Sequence, residues 1–219
     1  MPVTVSAASA PVSVSKPHYW EEAVHHLMHD RILKKLIPRH PEAWLAAPAS
    51  PFVTLARAVI GQQIAVKTAD TLWQKFLAVA GVAPTPAGVC QLDTAALRAA
   101  GLPLRKADYI LDLATHFHEG QVHPDRWSDM ADEAVAAELL AIRGIGRWTA
   151  EMFLIFYLQR PDVLPLDDPG LLKAISLHYF SGEPVSRFEA REVSHGWQPW
   201  RTVATWYLWR SLDPVVGAK

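Results

Sequence analysis

The sequence predicts an all-α protein. Nearly every periodic segment repeats its apolar residues at helical spacing, helix-start signals recur along the chain, and no pair of alternating β segments is joined by a hairpin signal. The first element runs over Tyr19 to Ile37, with Trp20, Val24, Leu27, Leu33 and Leu36 at helical intervals and Pro38 as its stop. Ser50-Pro51 reads as an N-cap followed by proline at the first helical position, opening a helix over Phe52 to Ile60 that breaks near Gly61. Helices follow over Lys67 to Val79, over Thr94 to Ala100 behind an Asp93 cap, and over the amphipathic stretch Leu104 to His118. Asp132 to Ile142 and Arg147 to Leu158 come next, Asp168-Pro169 marks another start, and Ser186 with Glu189 forms a capping box for a helix to about Ser194. Pro199 starts a last helix to about Leu212, which gives roughly ten helices joined by short proline- and glycine-marked loops.

A chain of 219 residues suits one domain or two closely packed subdomains. Hydrophobic residues make up 50% and charged residues 20%, so a sizeable core is expected. The net charge of −1 excludes a broadly basic surface, so any nucleic-acid contact has to rest on a local patch. The single cysteine, Cys90, excludes an intrachain disulfide and a four-cysteine iron–sulfur cluster. No apolar run approaches a membrane span of ~18 residues. Residues 1–17, rich in Ser, Ala, Val and Pro, lack the basic start and apolar stretch of a signal peptide and read as a disordered tail, with the folded domain over 18–219. Nine tryptophans provide core and suit a pocket that stacks a planar ligand. His25 and His29 are four apart on one helix face, but His26 stands where a zinc peptidase motif has Glu, and a solvated face is the plainer reading.

The most informative stretch is Leu139-Leu140-Ala141-Ile142-Arg143-Gly144-Ile145-Gly146-Arg147-Trp148-Thr149-Ala150. One helix ends, two glycines turn the chain, and a second helix begins with its amides pointing outward, a site suited to a phosphate. Arg143 and Arg147 flank it. Asp168 lies 22 residues beyond Gly146 and reads as an N-cap before Pro169. A carboxylate at a helix N-terminus is stabilised as an anion by the dipole and the free amides. Adjacent Asp167 and Asp168 should point apart and do not form an acid–base pair.

This pattern resembles the helix-hairpin-helix DNA glycosylase superfamily, over about residues 18–212, and most closely its 3-methyladenine DNA glycosylase II branch in a compact form without an N-terminal β domain. The resemblance implies a two-lobed helical fold, with the hairpin lobe at about 52–160 and the second lobe built from about 18–51 plus 161–219, an active cleft lying between them. It implies hydrolysis of the N-glycosidic bond of alkylated purines by base flipping, with Asp168 as the catalytic carboxylate. Gly144, Gly146, Arg143 and Arg147 would contact the DNA backbone. No cofactor is required, and a structural monovalent cation would rest on the carbonyls of Leu140, Ile142 and Ile145. Relatives that also cut the strand carry a lysine where this chain has Trp148, so the resemblance implies a monofunctional enzyme. Trp148 and Trp209 fall at base-pocket positions, while two other aromatic pocket positions fall on Met152 and Pro169. The segment Leu55 to Ala65 resembles the loop that fills the gap left by the flipped nucleotide. Gln63 takes the wedge position, where a well-known member has an apolar residue. Gly101-Leu102-Pro103-Leu104-Arg105-Lys106-Ala107 also resembles a family segment, a loop before an R-K-A helix. The expected partner is double-stranded DNA with alkylated bases, bound by a monomer away from membranes, in the nucleoid of a bacterium or the nucleus of a eukaryote. A glycosylase for oxidised or mismatched bases and a non-catalytic DNA-binding hairpin module stand as alternatives.

Overall fold

The computed structural model describes residues 16–41, 44–45 and 50–213, and among them it contains helices and no strand. The helices divide into two compact units, one made of Met1–Ala47 with Leu154–Lys219 and the other of Pro48–Phe153. The tail expected over residues 1–17 lies outside the described residues except for Lys16 and Pro17; Pro17 is buried and its carbonyl accepts from Trp20 N.

In the first unit the chain opens with α1 (Trp20–Leu27), α2 (Leu33–Leu36) and a 3₁₀ turn (Ile37–Arg39). The continuous helix expected over 19–37 is therefore broken. Asp30 Oδ1 accepts from the backbone N–H of Ile32 and Leu33, at 2.7 and 2.9 Å, and that side-chain turn restarts the helix. The second unit contains α3 (Pro51–Gly61), α4 (Val66–Ala80), α5 (Pro86–Val89), α6 (Thr94–Ala99), α7 (Leu104–His118) and α8 (Asp132–Leu140). α9 (Arg147–Phe156) starts there and ends in the first unit, followed by α10 (Pro169–Tyr179), α11 (Arg187–Ser194), a 3₁₀ turn (His195–Trp197) and α12 (Arg201–Arg210). α5 was not expected, although Thr85-Pro86 carries the same signal as Ser50-Pro51: each hydroxyl accepts the amide three residues on. The last helix begins at Arg201 and not at Pro199, because Trp200 N first closes a turn onto Trp197 O at 2.7 Å.

Each unit is built around one helix. In the second unit α7 packs on α3, α5 and α6, burying Ala107, Ile110, Leu113 and Ala114. In the first, α12 packs on α1, α2 and α10, and Thr202 to Leu208 are all buried, as expected of a helix surrounded on every side. Most tryptophans serve these cores, with Trp20, Trp127 and Trp197 almost fully enclosed. No described helix is long and apolar enough to cross a membrane.

Candidate functional site

Asp168 is the N-cap of α10, and Pro169 at the first helical position fixes the backbone angle there. The residue is only 8% exposed. Its Oδ1 accepts from Leu171 N at 2.6 Å and from the Trp209 indole Nε1 at 2.8 Å. Trp209 is held in turn by its face, which stacks on Phe156 with centroids 5.8 Å apart and planes 11° from parallel. Gly170 makes this approach possible. A Cβ there would lie 3.0 Å from Asp168 Oδ1 and 3.3 Å from Trp209 Cδ1, so any side chain would press on both partners. Asp168 and Trp209, from distant parts of the sequence, thus form one rigid pair, and Gly170 and Phe156 are supports that sequence reasoning missed. The neighbouring Asp167 turns away and pairs with Arg187 of α11 at 2.6 Å, both side chains well exposed.

The hairpin lies in the second unit, between α8 and α9. Ile145 N donates to Ile142 O at 3.1 Å, and Gly144 takes φ +86°, a conformation that disfavours any side chain. Gly144 also rests on the Tyr109 ring of α7, since an added Cβ would sit 2.3 Å from Tyr109 Cδ2. Gly146, at the mouth of α9, is different: a Cβ there would meet nothing within 4 Å. Its small size leaves the amides of the helix start open to the outside. Ile142 and Ile145 are buried anchors of the turn, and Leu140 is exposed.

Arg143 and Arg147 are not loose cations. Asp112 of α7 accepts from Arg143 N at 2.8 Å and from its Nε at 3.2 Å. Arg147 makes a two-toothed pair with Glu133, at 2.7 and 2.8 Å, and a further bond to Glu151 at 3.0 Å. Those hydrogen bonds hold its guanidinium still more firmly protonated than usual and keep the Glu133 carboxyl below its ordinary range. Trp148, in the first turn of α9, is 38% exposed, and Met152 one turn on is half-buried. Pro169 is exposed.

The loop after α3 carries Gln63, exposed and held at φ +59°, an uncommon conformation for a residue other than glycine. Its neighbour Gln62 donates from Nε2 to Gly144 O at 2.8 Å, tying this loop to the hairpin turn within the same unit. Lys106, from the R-K-A segment, donates to the carbonyls of Ile60 and Gln62. His25 and His29 stack edge to face at 5.7 Å, and no cluster of three metal-ligating side chains occurs among the described residues.

Comparisons with known proteins agree with this geometry. Residues 56–199, more than half of the chain, match the model of the HhH-GPD superfamily base excision DNA repair proteins. DNA-3-methyladenine glycosylase 1 of Schizosaccharomyces pombe is 34% identical over 165 residues, covering 74% of this chain and 72% of its own. The crystal structure of a DNA-3-methyladenine glycosidase from Bacillus halodurans superposes with a TM-score of 0.80 at 30% identity, covering 88% of each chain. The S. pombe 3-methyladenine DNA glycosylase Mag1, solved in complex with abasic DNA, superposes with a TM-score of 0.76 at 29% identity, covering 89% of this chain and 98% of its own. An all-helical chain with a glycine hairpin, a capped and buried aspartate and these relatives belongs to the HhH-GPD superfamily of base excision DNA repair proteins.

Proposed function

We propose that this chain is a DNA glycosylase that hydrolyses the N-glycosidic bond of alkylated purines in double-stranded DNA, acting as a monomer without cutting the strand. The observation that carries the reading is the buried Asp168 carboxylate, with Oδ1 fixed by Leu171 N and Trp209 Nε1. Such a carboxylate suits a transition state in which C1′ becomes cationic. An alkylated purine is already electron-poor and leaves with the electron pair of its bond to C1′, without an acid from the enzyme. Water then adds to C1′ and gives up a proton, and the products are a free base and an abasic site. Trp148 replaces the amine that a strand-cutting relative would use, and a part-exposed indole suits stacking on a base.

The open start of α9 at Gly146 is the proposed phosphate contact, and Gln63 the group that enters the space left by the flipped nucleotide. The carbonyls of Leu140, Ile142 and Ile145 would hold a monovalent cation at the turn. Ile142 O accepts one bond from Ile145 N and keeps a second lone pair, which fits that role. Such a cation would add positive charge toward the phosphate.

The test is base release from duplexes bearing 3-methyladenine, 7-methylguanine, hypoxanthine or 8-oxoguanine, followed by borohydride. Release of alkylated purines with no trapped adduct and no nick before alkali is expected. Release of 8-oxoguanine alone, a trapped adduct, or no release at all would overturn the reading.

A further inference from the structure

Three supports of the hairpin unit sit three residues apart on α7: Lys106, Tyr109 and Asp112. Tyr109 lies under Gly144, and Asp112 holds the backbone and side chain of Arg143. Lys106 does something else. Its ammonium bonds the carbonyls of Ile60 and Gln62, which flank the last residue of α3, Gly61. Carbonyls at a helix end carry partial negative charge and need donors. Burial lowers the affinity of this amine for its proton, so enclosing a charge here carries a penalty that the two carbonyls offset. The position immediately after these carbonyls is Gln63, held at φ +59°.

We propose that Lys106 is a positioning residue for base flipping: by clamping the end of α3 it holds Gln63 in the conformation from which the side chain enters the duplex. The clamp acts on the loop from one side while Gln62 Nε2 ties it to Gly144 O from the other, so wedge and hairpin share one frame. Lys106 touches neither the base nor the sugar. This inference rests on the glycosylase reading and on Gln63 as the wedge.

A flipping role and a folding role separate by substrate. Excision of 7-methylguanine under single-turnover, saturating conditions is compared in a fully paired duplex and in a bulge, where the nucleotide is already unpaired. Lys106→Met is expected to slow the duplex reaction by about 10²-fold, the effect typical of misplacing a positioning group by ~1 Å, while slowing the bulge reaction far less. Lys106→Arg, which keeps donors at the same place, recovers most of the duplex rate. Lys106→Gln, which loses the ammonium but keeps a polar side chain, carries the duplex-to-bulge comparison if Lys106→Met melts below the assay temperature. Combining Lys106→Met with Gln63→Ala should be no worse than the more damaging single change, because both act on one step. Equal losses on the two substrates, no loss on the duplex, or fully multiplicative effects in the double variant would overturn the proposal. If the unaltered chain releases no base from either substrate, the glycosylase reading itself fails, and this inference with it.

Discussion

Two helix starts in this molecule use the same physics for opposite ends. The N-terminus of α10 is closed from within: Asp168 supplies the anion, Trp209 and Phe156 wall it, and Gly170 is crowded. The N-terminus of α9 is left open: the residue before it, Gly146, has no side chain, and its surroundings are empty. The helix dipole favours an anion at both places. In one the anion belongs to the chain, as the carboxylate proposed for catalysis; in the other an added Cβ would meet nothing, and the proposed anion is a DNA phosphate. Glycine serves both, by admitting an indole at 170 and by leaving open space at 146.

The largest expected effect breaks the closed start. Asp168→Asn keeps the cap, since Asn caps about as well as Asp, yet removes the charge; single-turnover excision should fall by about 10²–10³ while melting is little changed. Asp167→Asn, which loses only the exposed pair with Arg187, should stay close to the unaltered rate. If the two variants exchange behaviour, the carboxylate has been assigned to the wrong neighbour.

The glycines sharpen the contrast. Gly170→Ala should displace Asp168 or Trp209 by a few tenths of an ångström and cost about tenfold in excision, with DNA affinity unchanged. Gly144→Ala meets the Tyr109 ring and an unfavourable φ, so it should destabilise the fold by about 1–3 kcal/mol in a denaturant melt. Gly146→Leu should leave that melt alone and weaken binding to damaged and undamaged DNA alike. Equal affinity for DNA before and after that substitution would remove the open start from the interface.

A smaller effect concerns salt. Arg143 and Arg147 are already committed to Asp112, Glu133 and Glu151, so these two should release few counterions on meeting DNA. The dependence of log affinity on log salt should correspond to only a few phosphates, read from binding titrations; a slope of about 7 or more, which at ~0.9 per phosphate means eight or more of them, would place the contact elsewhere.

The smallest concerns the support of α8. Burial pushes the Glu138 carboxyl up, but hydrogen bonds from Trp127 Nε1 and from the His123 ring and amide outweigh it and hold it below the ordinary range. A depressed carboxyl stabilises the fold above its unfolded pKa, near 4.3, and that contribution disappears as the pH falls through the lower folded value. Thermal melts between about pH 6 and pH 3 should show a decline that Glu138→Gln flattens.

Helix starts were legible at Ser50, Asp93, Asp168 and Ser186, where a capping residue announced them, but not at Thr85, whose equal signal opens a helix of only four residues. The break after α1 was not, because Asp30 interrupts an apolar periodicity that runs straight through it. The hairpin and Asp168 were legible because their residue types and spacing are rare together. Their supports were not: Phe156 stacks on a residue far along the chain, and Lys106 bonds carbonyls that carry no sequence identity at all. A contact to backbone leaves no mark on the partner's side chain. The flanking arginines were legible as charge but not as pairs, since Glu133 and Asp112 are remote in sequence.

The even spacing of Lys106, Tyr109 and Asp112 sets a rule for length change in this chain. A helix turns about 100° per residue, so one inserted or deleted residue between positions 106 and 112 would rotate part of the row off its targets. Point substitutions on the outer face of α7 leave that row in register. Insertions should therefore be tolerated at the exposed turn after α7, around Gly120 and ahead of the buried Val122 and Trp127, and rejected within α7, where no single replacement can restore the phase.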